Sequence, residues 1–193
     1  MLDNLSKYKI LLASNSPRRR ELLGGLGISY EVTALPDVDE SFPKEMPGEE
    51  IPVYIARNKA EAYADHLTEN TLLITADTIV WKEGKVYGKP TDEKDAMQML
   101  RELSGAVHQV ITGVCIRTKE KEVSFAAVSE VTFGSLSDEE IAYYVSNYKP
   151  FDKAGSYGIQ EWIGYVAVEN IKGSYFNIMG LPVQRLYKEL VKF

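Results

Sequence analysis

The sequence predicts an α/β fold in which helices flank a mixed parallel and antiparallel sheet. Residues 72–76 are almost wholly apolar, which is typical of a strand that is covered on both faces. Two long β-rich segments, residues 107–118 and 122–133, are joined by a short charged turn and therefore indicate a hairpin. Because helical patterns alternate with strands in a mixed order, we do not expect a simple doubly wound fold.

The size and composition of the chain are those of an ordinary globular protein. Its 193 residues are enough for one well-buried core, and we expect a single domain over residues 1–193. The N-terminal residues lack the apolar stretch of a signal peptide and no window approaches a membrane span, so a cytoplasmic location is the default expectation. The single cysteine, Cys115, excludes an intrachain disulfide, and its apolar neighbours favour a buried hydrophobic role over that of a nucleophile.

The net charge of −6 limits the classes of partner. Broad nucleic-acid binding needs a basic surface, so we expect no nucleic-acid partner, and nothing in the chain indicates a membrane partner. A small anionic ligand needs only a local cluster of positive groups. The sequence leaves both a monomer and a homodimer open.

The first elements form a candidate phosphate site. Residues 10–13 predict a strand, Ser16 is suited to cap the following helix, and Pro17 to open it. Three arginines follow, although each cation in a first turn costs roughly 0.3–1 kcal/mol against the helix dipole. Either they are solvated surface charges, or they bind an anion that removes the conflict. A phosphate receptor here would contain hydroxyl, backbone N–H and guanidinium groups from Ser14, Ser16, Arg18 and Arg19. Arg20 lies about 100° further round the helix and is expected to be a surface charge.

The next elements supply acidic and basic candidates. We predict a second strand over residues 30–35, an acidic loop over 36–40 and a helix over about 52–67. Lys59 is predicted at the edge of the apolar side of this helix, where many lysines only extend to solvent. Asp77 and Thr78 interrupt the apolar strand 72–76, which resumes over 79–81. A carboxylate in such a run is costly unless it is paired, so Asp77 is a catalytic candidate, with a turn cap as the alternative.

The rest of the chain contains further predicted elements. Residues 82–85 form a hairpin turn, and Lys89 follows in a backbone restricted by Gly88 and Pro90. Thr91 or Asp92 caps a helix that runs to about residue 103. The later segments are predicted as a helix over 138–145, a loop over 151–160, a strand over 165–171, a loop over 173–181 and a helix over 182–192. Neither His66 nor His108 has a second histidine at ligand spacing, so both are expected to be structural or exposed.

The polar candidates together suit a phosphate-rich substrate and a divalent cation. Carboxylates are preferred ligands of Mg²⁺ and Mn²⁺, and Mg²⁺ commonly shares one or two carboxylates with the phosphates of a substrate. Neither a P-loop nor a dinucleotide-binding glycine motif occurs. The basic candidates are Arg18, Arg19, Lys59 and Lys89, and the acidic candidates are Asp37, Asp39, Glu40 and Asp77.

Seven short motifs are spread over nearly the whole chain. They are S-N-S-P-R-R-R-E-L-L at 14–23, P-D-V-D-E at 36–40, A-R-N-K-A at 56–60, A-D-T at 76–78, G-K-P at 88–90, D-K-A-G-S-Y-G-I-Q at 152–160 and G-L-P at 180–182. In their order and spacing these motifs specifically resemble those of the Maf proteins, which are nucleoside triphosphate pyrophosphatases of the house-cleaning type.

This resemblance implies a mixed α/β fold related to the inosine triphosphatases, a divalent metal, and hydrolysis of a nucleoside triphosphate to the monophosphate and pyrophosphate. It also implies that Asp77 accepts the proton of the attacking water. Substrate choice is linked to Arg18, Thr78 and Gln160, and other polar positions of the family's site match Lys59, Lys89 and Glu40. We expect Glu40 and Asp77 to hold the metal, and Lys59 and Lys89 to act with Asp77 in catalysis.

The segment that ends at Gln160 resembles the branch of the family that prefers dTTP and UTP. A glutamine amide can accept from N3–H and donate to O4 of thymine or uracil, but a flipped amide would suit cytosine equally well. Discrimination therefore requires a neighbour that fixes the amide. A nucleotide-binding regulator of cell division with little turnover is the alternative function.

Overall fold

The computed structural model describes residues 2–33 and 38–193. Asp37 and the end of the predicted strand 30–35 lie outside the described residues. The strands are β1 (Lys9–Ala13), β2 (Glu31–Thr33), β3 (Thr71–Lys82), β4 (Lys85–Tyr87), β5 (Val107–Arg117), β6 (Glu122–Phe133) and β7 (Val168–Lys172). The helices are α1 (Pro17–Gly24), α2 (Ile51–Glu61), α3 (Glu93–Leu103), α4 (Asp138–Tyr148), α5 (Trp162–Val166), α6 (Tyr175–Met179) and α7 (Val183–Leu190).

Within the described residues the strands form one mixed sheet. Their order is β2-β1-β3-β5-β6-β7, and β4 pairs with β3 outside this path. Strand β1 is parallel to both β2 and β3, whereas the pairs β3–β4 and β6–β7 are antiparallel. The predicted fold class is therefore confirmed.

The chain divides into two compact units. The first contains Met1–Asp77, Thr112–Ala127 and Gly180–Phe193, and the second contains Thr78–Ile111 and Val128–Met179. No helix in the described parts of the chain combines the length and the apolar character that crossing a membrane requires.

Small side chains let helix α2 pack closely on the sheet of the first unit. Ala56 and Ala60 are fully buried in a cluster that also contains Cys115, whose burial is confirmed. A Cβ atom at Gly113 of β5 would lie 2.2 Å from the carbonyl carbon of Pro52, so only glycine permits this approach. Burial raises the pKa of the Cys115 thiol to about 11.

The core of the second unit contains a cluster of aromatic rings. The centroids of the His108 and Phe133 rings are 4.8 Å apart, and those of Phe133 and Tyr157 are 4.9 Å apart. His108 is 1% exposed, and its Nε2 lies 2.8 Å from the Tyr157 hydroxyl oxygen. Both histidines were predicted to be structural or exposed. His108 has the structural role, and His66 is exposed.

Several local predictions are confirmed. The turn over residues 82–85 joins β3 to β4, with positive φ angles at Glu83 and Gly84. Asp92 caps α3 by accepting a hydrogen bond from the backbone N–H of Asp95. The turn between β5 and β6 is closed by a hydrogen bond from the Thr118 N–H to the Lys121 carbonyl.

Other boundaries were predicted wrongly. Strand β3 continues through Asp77 and Thr78 without interruption, so the turn-cap alternative for Asp77 is wrong. The helix predicted over 52–67 ends at Glu61, and a separate 3₁₀ turn covers Ala64–His66. The predicted strand 165–171 begins only at residue 168, because α5 precedes it, and the predicted loop 173–181 contains α6.

Candidate functional site

The loop between β1 and α1 is held by its own serines. The Ser16 hydroxyl accepts a hydrogen bond from the Arg19 N–H at 3.4 Å, which confirms the predicted cap. The buried Ser14 hydroxyl accepts from the Ser16 N–H at 3.2 Å. A hydroxyl that accepts such bonds still carries a hydrogen that it can donate to an anion. These contacts order the loop with its serine hydroxyls next to a helix N-terminus.

Arg19 connects this loop to two distant segments of the first unit. Its Nε donates to the Gly180 carbonyl and its Nη1 to the Ala76 carbonyl, each at 2.8 Å. Burial lowers the pKa of the Arg19 guanidinium, and the nearby Asp77 carboxylate opposes this shift. Arg19 therefore fixes the backbone immediately before Asp77.

The other two arginines differ in their surroundings. Arg18 is partly exposed in the first turn of α1. Arg20 is also only partly exposed, and its Nη2 donates to the Ser14 carbonyl at 3.4 Å. The expectation that Arg20 is a simple surface charge is therefore wrong, because its side chain folds back onto the backbone of the loop between β1 and α1.

A buried lysine joins two acidic side chains in the first unit. The Nζ atom of Lys59 donates to Oδ1 of Asp77 at 2.8 Å and lies 2.7 Å from Oε1 of Glu40. Lys59 is 5% exposed and Asp77 is 9% exposed, so the alternative that Lys59 only extends to solvent is wrong. The ion pair explains how a carboxylate can occupy the middle of an apolar strand.

Asp39, another acidic candidate, is engaged in its own loop. It accepts hydrogen bonds at 2.8 Å from both the backbone N–H and the hydroxyl of Ser41. These bonds hold the pKa of the exposed Asp39 carboxyl below its ordinary value.

The remaining predicted site residues belong to the second unit. Thr78 follows Asp77 directly in β3 and is partly buried, whereas Lys89 and Gln160 are exposed on loops. The Gly155 N–H donates to the Gly88 carbonyl at 3.0 Å, so the loop that ends at Gln160 is tied to the loop that carries Lys89. The structure thus links the loop serines, Arg19, Lys59, Glu40 and Asp77 in one unit, and Lys89 and Gln160 through their loops in the other.

Sequence reasoning missed a second buried lysine, Lys153. It is 9% exposed, and its Nζ lies 2.8 Å from Asp152 and 3.1 Å from Glu161. The signal that could have identified Lys153 is a charged residue in a segment of mostly small and apolar residues. A similar signal, a charge in an apolar strand, identified Asp77. The carboxylates alone could not reveal the pairing, because it depends on how the loop folds.

The carboxylates of the first unit are suitable ligands for a divalent cation. Glu40 and Asp77 both contact the Nζ atom of Lys59, so one oxygen of each carboxylate lies beside the same positive charge. Among residues 2–33 and 38–193 no cluster of three or more His, Cys, Asp or Glu side chains could hold a metal. Two carboxylates are the protein contribution that Mg²⁺ commonly uses when phosphate oxygens and water complete its coordination.

Comparisons with known proteins identify the family of this chain. Residues 9–193 match the family model of the Maf-like proteins. A relative from Bacteroides fragilis (strain YCH46), named dTTP/UTP pyrophosphatase, is 64% identical over 98% of both chains. A relative of the same name from Phocaeicola vulgatus is 65% identical over 100% of both chains.

A solved structure agrees at the level of the fold. A HAM1 protein from Coxiella burnetii covers 96% of this chain and 100% of its own, with a TM-score of 0.51 and 16% identity. This likeness supports the architecture alone, whereas the family model and the sequence relatives establish the family. The chain belongs to the family of Maf-like proteins.

Proposed function

We propose that this chain is a hydrolase of nucleotide metabolism that converts dTTP and UTP to the monophosphate and pyrophosphate. The observation that carries the proposal is the buried pair of Lys59 and Asp77, with Glu40 on the same ammonium group. The names of the relatives from B. fragilis and P. vulgatus support the choice of substrate. Its role is to clear nucleotides, including modified pyrimidine nucleotides, from the cytoplasmic pool.

The triphosphate binds at the loop over residues 14–19. The hydroxyls of Ser14 and Ser16 and the first-turn N–H groups of α1 donate to phosphate oxygens, and the helix dipole favours the negative charge. Arg18 adds a guanidinium from the first turn. Arg19 contributes positive charge while its hydrogen bonds to Gly180 and Ala76 hold the loop in place.

Asp77 acts as the general base of the reaction. It accepts a proton from the water whose oxygen attacks the α-phosphorus, and the bond from this phosphorus to the bridging oxygen breaks. The electrons of that bond leave with pyrophosphate, whose charge Lys59 and Lys89 stabilise. The hydrogen bond from Lys59 also orients the Asp77 carboxylate before water binds.

Glu40 and Asp77 would hold a divalent cation, Mg²⁺ or Mn²⁺. Bound there, the cation would neutralise charge on the triphosphate and polarise a phosphoryl oxygen. The protein itself supplies the proton acceptor, Asp77, and the loop over residues 14–19 that binds the phosphates.

The nucleobase is selected by residues of the second unit. The Gln160 amide accepts from N3–H and donates to O4 of thymine or uracil in one bidentate contact. Thr78 and Arg18 also contribute to substrate choice, as the resemblance implies.

The regiochemistry of the reaction provides the first test. Purified protein is incubated with each common nucleoside triphosphate and Mg²⁺ or Mn²⁺, and phosphate is detected with malachite green before and after inorganic pyrophosphatase is added. We expect phosphate only after that addition, with dTTP and UTP turned over fastest. In ¹⁸O-labelled water, the label should enter the monophosphate.

Three results would contradict the proposal. Phosphate released without added pyrophosphatase would identify a phosphohydrolase, and label in pyrophosphate would exclude attack at the α-phosphorus. Micromolar binding of dTTP without turnover would favour a nucleotide-binding regulator.

A homodimer is a separate proposal, for which light scattering should give twice the chain mass of 21.7 kDa.

A further inference from the structure

The segment that carries Gln160 is fixed by a partly buried polar cluster in the second unit. This cluster, which we call the Glu161 anchor, consists of Tyr144, Lys153 and Glu161. Oε1 of Glu161 lies 3.1 Å from Nζ of Lys153, and Oε2 accepts a short hydrogen bond from the Tyr144 hydroxyl. Both carboxylate oxygens are therefore engaged by groups from two other segments.

The Tyr144 hydroxyl links the anchor to the backbone ahead of Gln160. Tyr144 is fully buried in α4, and its hydroxyl oxygen accepts a hydrogen bond from the Gly158 N–H at 2.9 Å. Burial and the bond to the Glu161 carboxylate raise the pKa of the Tyr144 hydroxyl, so it remains a donor at neutral pH. One buried side chain thus holds residues 158 and 161, which flank Ile159 and Gln160.

The backbone over residues 158–161 forms a tight turn. The Glu161 N–H donates to the Gly158 carbonyl at 2.9 Å, which places Ile159 and Gln160 at its two central positions. A Cβ atom at Gly158 would lie 2.9 Å from Cε of Lys153 and 3.0 Å from Cδ of Glu161. Anchor side chains therefore pack directly against the turn, while Gln160 itself is exposed at its surface.

We propose that Glu161 is a positioning residue that sets nucleobase selectivity by fixing the turn that presents Gln160. This inference rests on the proposed function, because it assumes that Gln160 contacts the base. A glutamine amide can pair with thymine in one orientation and with cytosine in the other. A fixed turn holds the Gln160 backbone in one place, so the amide reaches the base at one distance and angle and favours the base that fits there. A loose turn lets the side chain shift to fit either base.

The test compares Glu161→Ala with Glu161→Gln and Tyr144→Phe. The glutamine variant keeps an acceptor for the Tyr144 hydroxyl, and the alanine variant removes both contacts of the carboxylate. For Glu161→Ala we expect the ratio of kcat/KM for dTTP to that for dCTP to fall about tenfold, a size typical of altered pocket contacts. The change should appear mainly as a higher KM for dTTP, with kcat nearly unchanged, and Glu161→Gln and Tyr144→Phe should lie between Glu161→Ala and the parent protein.

Glu130→Gln is the matched control in the same unit. It removes a carboxylate that pairs with Lys172 at 3.3 Å on a more exposed surface, and the substrate ratio should not change. An unchanged ratio in Glu161→Ala would overturn the inference. An equal loss for dTTP and dCTP, together with a lower melting temperature, would also overturn it, because a purely structural role predicts that result.

Binding measurements separate this inference from the proposed hydrolysis. Dissociation constants for dTTP and dCTP are measured by calorimetry in the Asp77→Asn protein, with and without Glu161→Ala. A lower preference for dTTP in the double variant supports the role of Glu161 even if the parent protein releases no pyrophosphate. An unchanged preference overturns that role even if hydrolysis is confirmed.

Discussion

Lys59 carries a positive charge into the interior of the first unit, where Asp77 and Glu40 accept it. Asp77 has two roles: it accepts the hydrogen bond from Lys59, and it is the proposed proton acceptor. Substitution by asparagine separates these roles. Asp77→Asn keeps an oxygen that accepts the Lys59 hydrogen bond but lacks a basic carboxylate. We expect kcat for dTTP to fall by about 10²–10⁴, the usual contribution of a general base, with little change in melting temperature.

Coupled detection of pyrophosphate measures this effect. Glu120→Gln, which changes an exposed carboxylate in the turn after β5, is the control and should retain normal turnover. Near-normal turnover by Asp77→Asn would show that another group accepts the proton.

His108 makes the stability of the protein depend on pH. Burial lowers its pKa to about 4, and the positive charge of Lys82 acts in the same direction. The unfolded chain, with a histidine pKa of about 6.5, binds more protons than the folded protein between pH 6.5 and 4. Stability should therefore fall as the pH falls through this window, by up to about 3 kcal/mol from this residue.

Urea unfolding at pH 6.5 and pH 4.5 tests this linkage. His108→Gln retains a group that can hydrogen bond to the Tyr157 hydroxyl but does not titrate, so its free energy of unfolding should change less between the two pH values. His66→Gln, at an exposed position, should behave as the parent protein does. Parallel pH dependences for His108→Gln and the parent protein would refute the assignment.

At the scale of elements, the sequence predicted the limits of a helix or strand well where its periodic pattern extended over many residues. Helix α3 and strands β5 and β6 were predicted close to their observed limits, because each has many turns or alternations. The five-residue helices α5 and α6 were missed, since one turn and a half carries no readable periodicity. In α5, Gly164 approaches Ile159 so closely that a Cβ atom would lie 1.9 Å from its carbonyl oxygen. That close approach, which the sequence does not show, requires glycine at position 164.

The close approach of α2 to β5 gives a prediction about a whole element. Gly113→Ala would place a Cβ atom 2.3 Å from the Pro52 carbonyl oxygen, and backbone cannot move aside as a side chain can. Helix α2 must shift, and it carries Lys59. We expect a loss of about 1–3 kcal/mol in stability from overpacking. Turnover of dTTP should also fall, because a displacement of about 1 Å at a site can cost 10²-fold.

Thermal unfolding and steady-state kinetics measure the two effects of Gly113→Ala. Gly24→Ala is the matched control, since its new Cβ atom would meet nothing closer than 3.8 Å. It should keep full activity and equal or slightly higher stability. A fully stable and active Gly113→Ala protein would show that α2 tolerates the displacement.

At the scale of the whole molecule, the sequence predicted the fold class and the candidate residues but not their long-range pairing. The Arg19 side chain contacts the carbonyl of Gly180, which is 161 residues away along the chain. No local pattern encodes such a contact, because it depends on the strand order. The candidate polar residues could be found from their unusual positions in apolar runs and at a helix start. Their partners, such as Glu40 for Lys59, became visible only in the folded chain.

The overall charge leads to a final prediction about polyanions. Nonspecific nucleic-acid binding depends on many phosphate contacts, typically giving dissociation constants of about 10⁻⁴–10⁻⁶ M at physiological salt. With a net charge of −6, the protein should repel a long polyanion while its local basic loop still binds a triphosphate. In fluorescence anisotropy, labelled single-stranded DNA and RNA should therefore bind more weakly than about 10⁻⁴ M. Unlabelled dTTP should not displace any residual signal, since the proposed site binds a single nucleotide and not a polyanion. Micromolar binding of RNA that dTTP competes away would instead assign the loop over residues 14–19 to nucleic-acid phosphates.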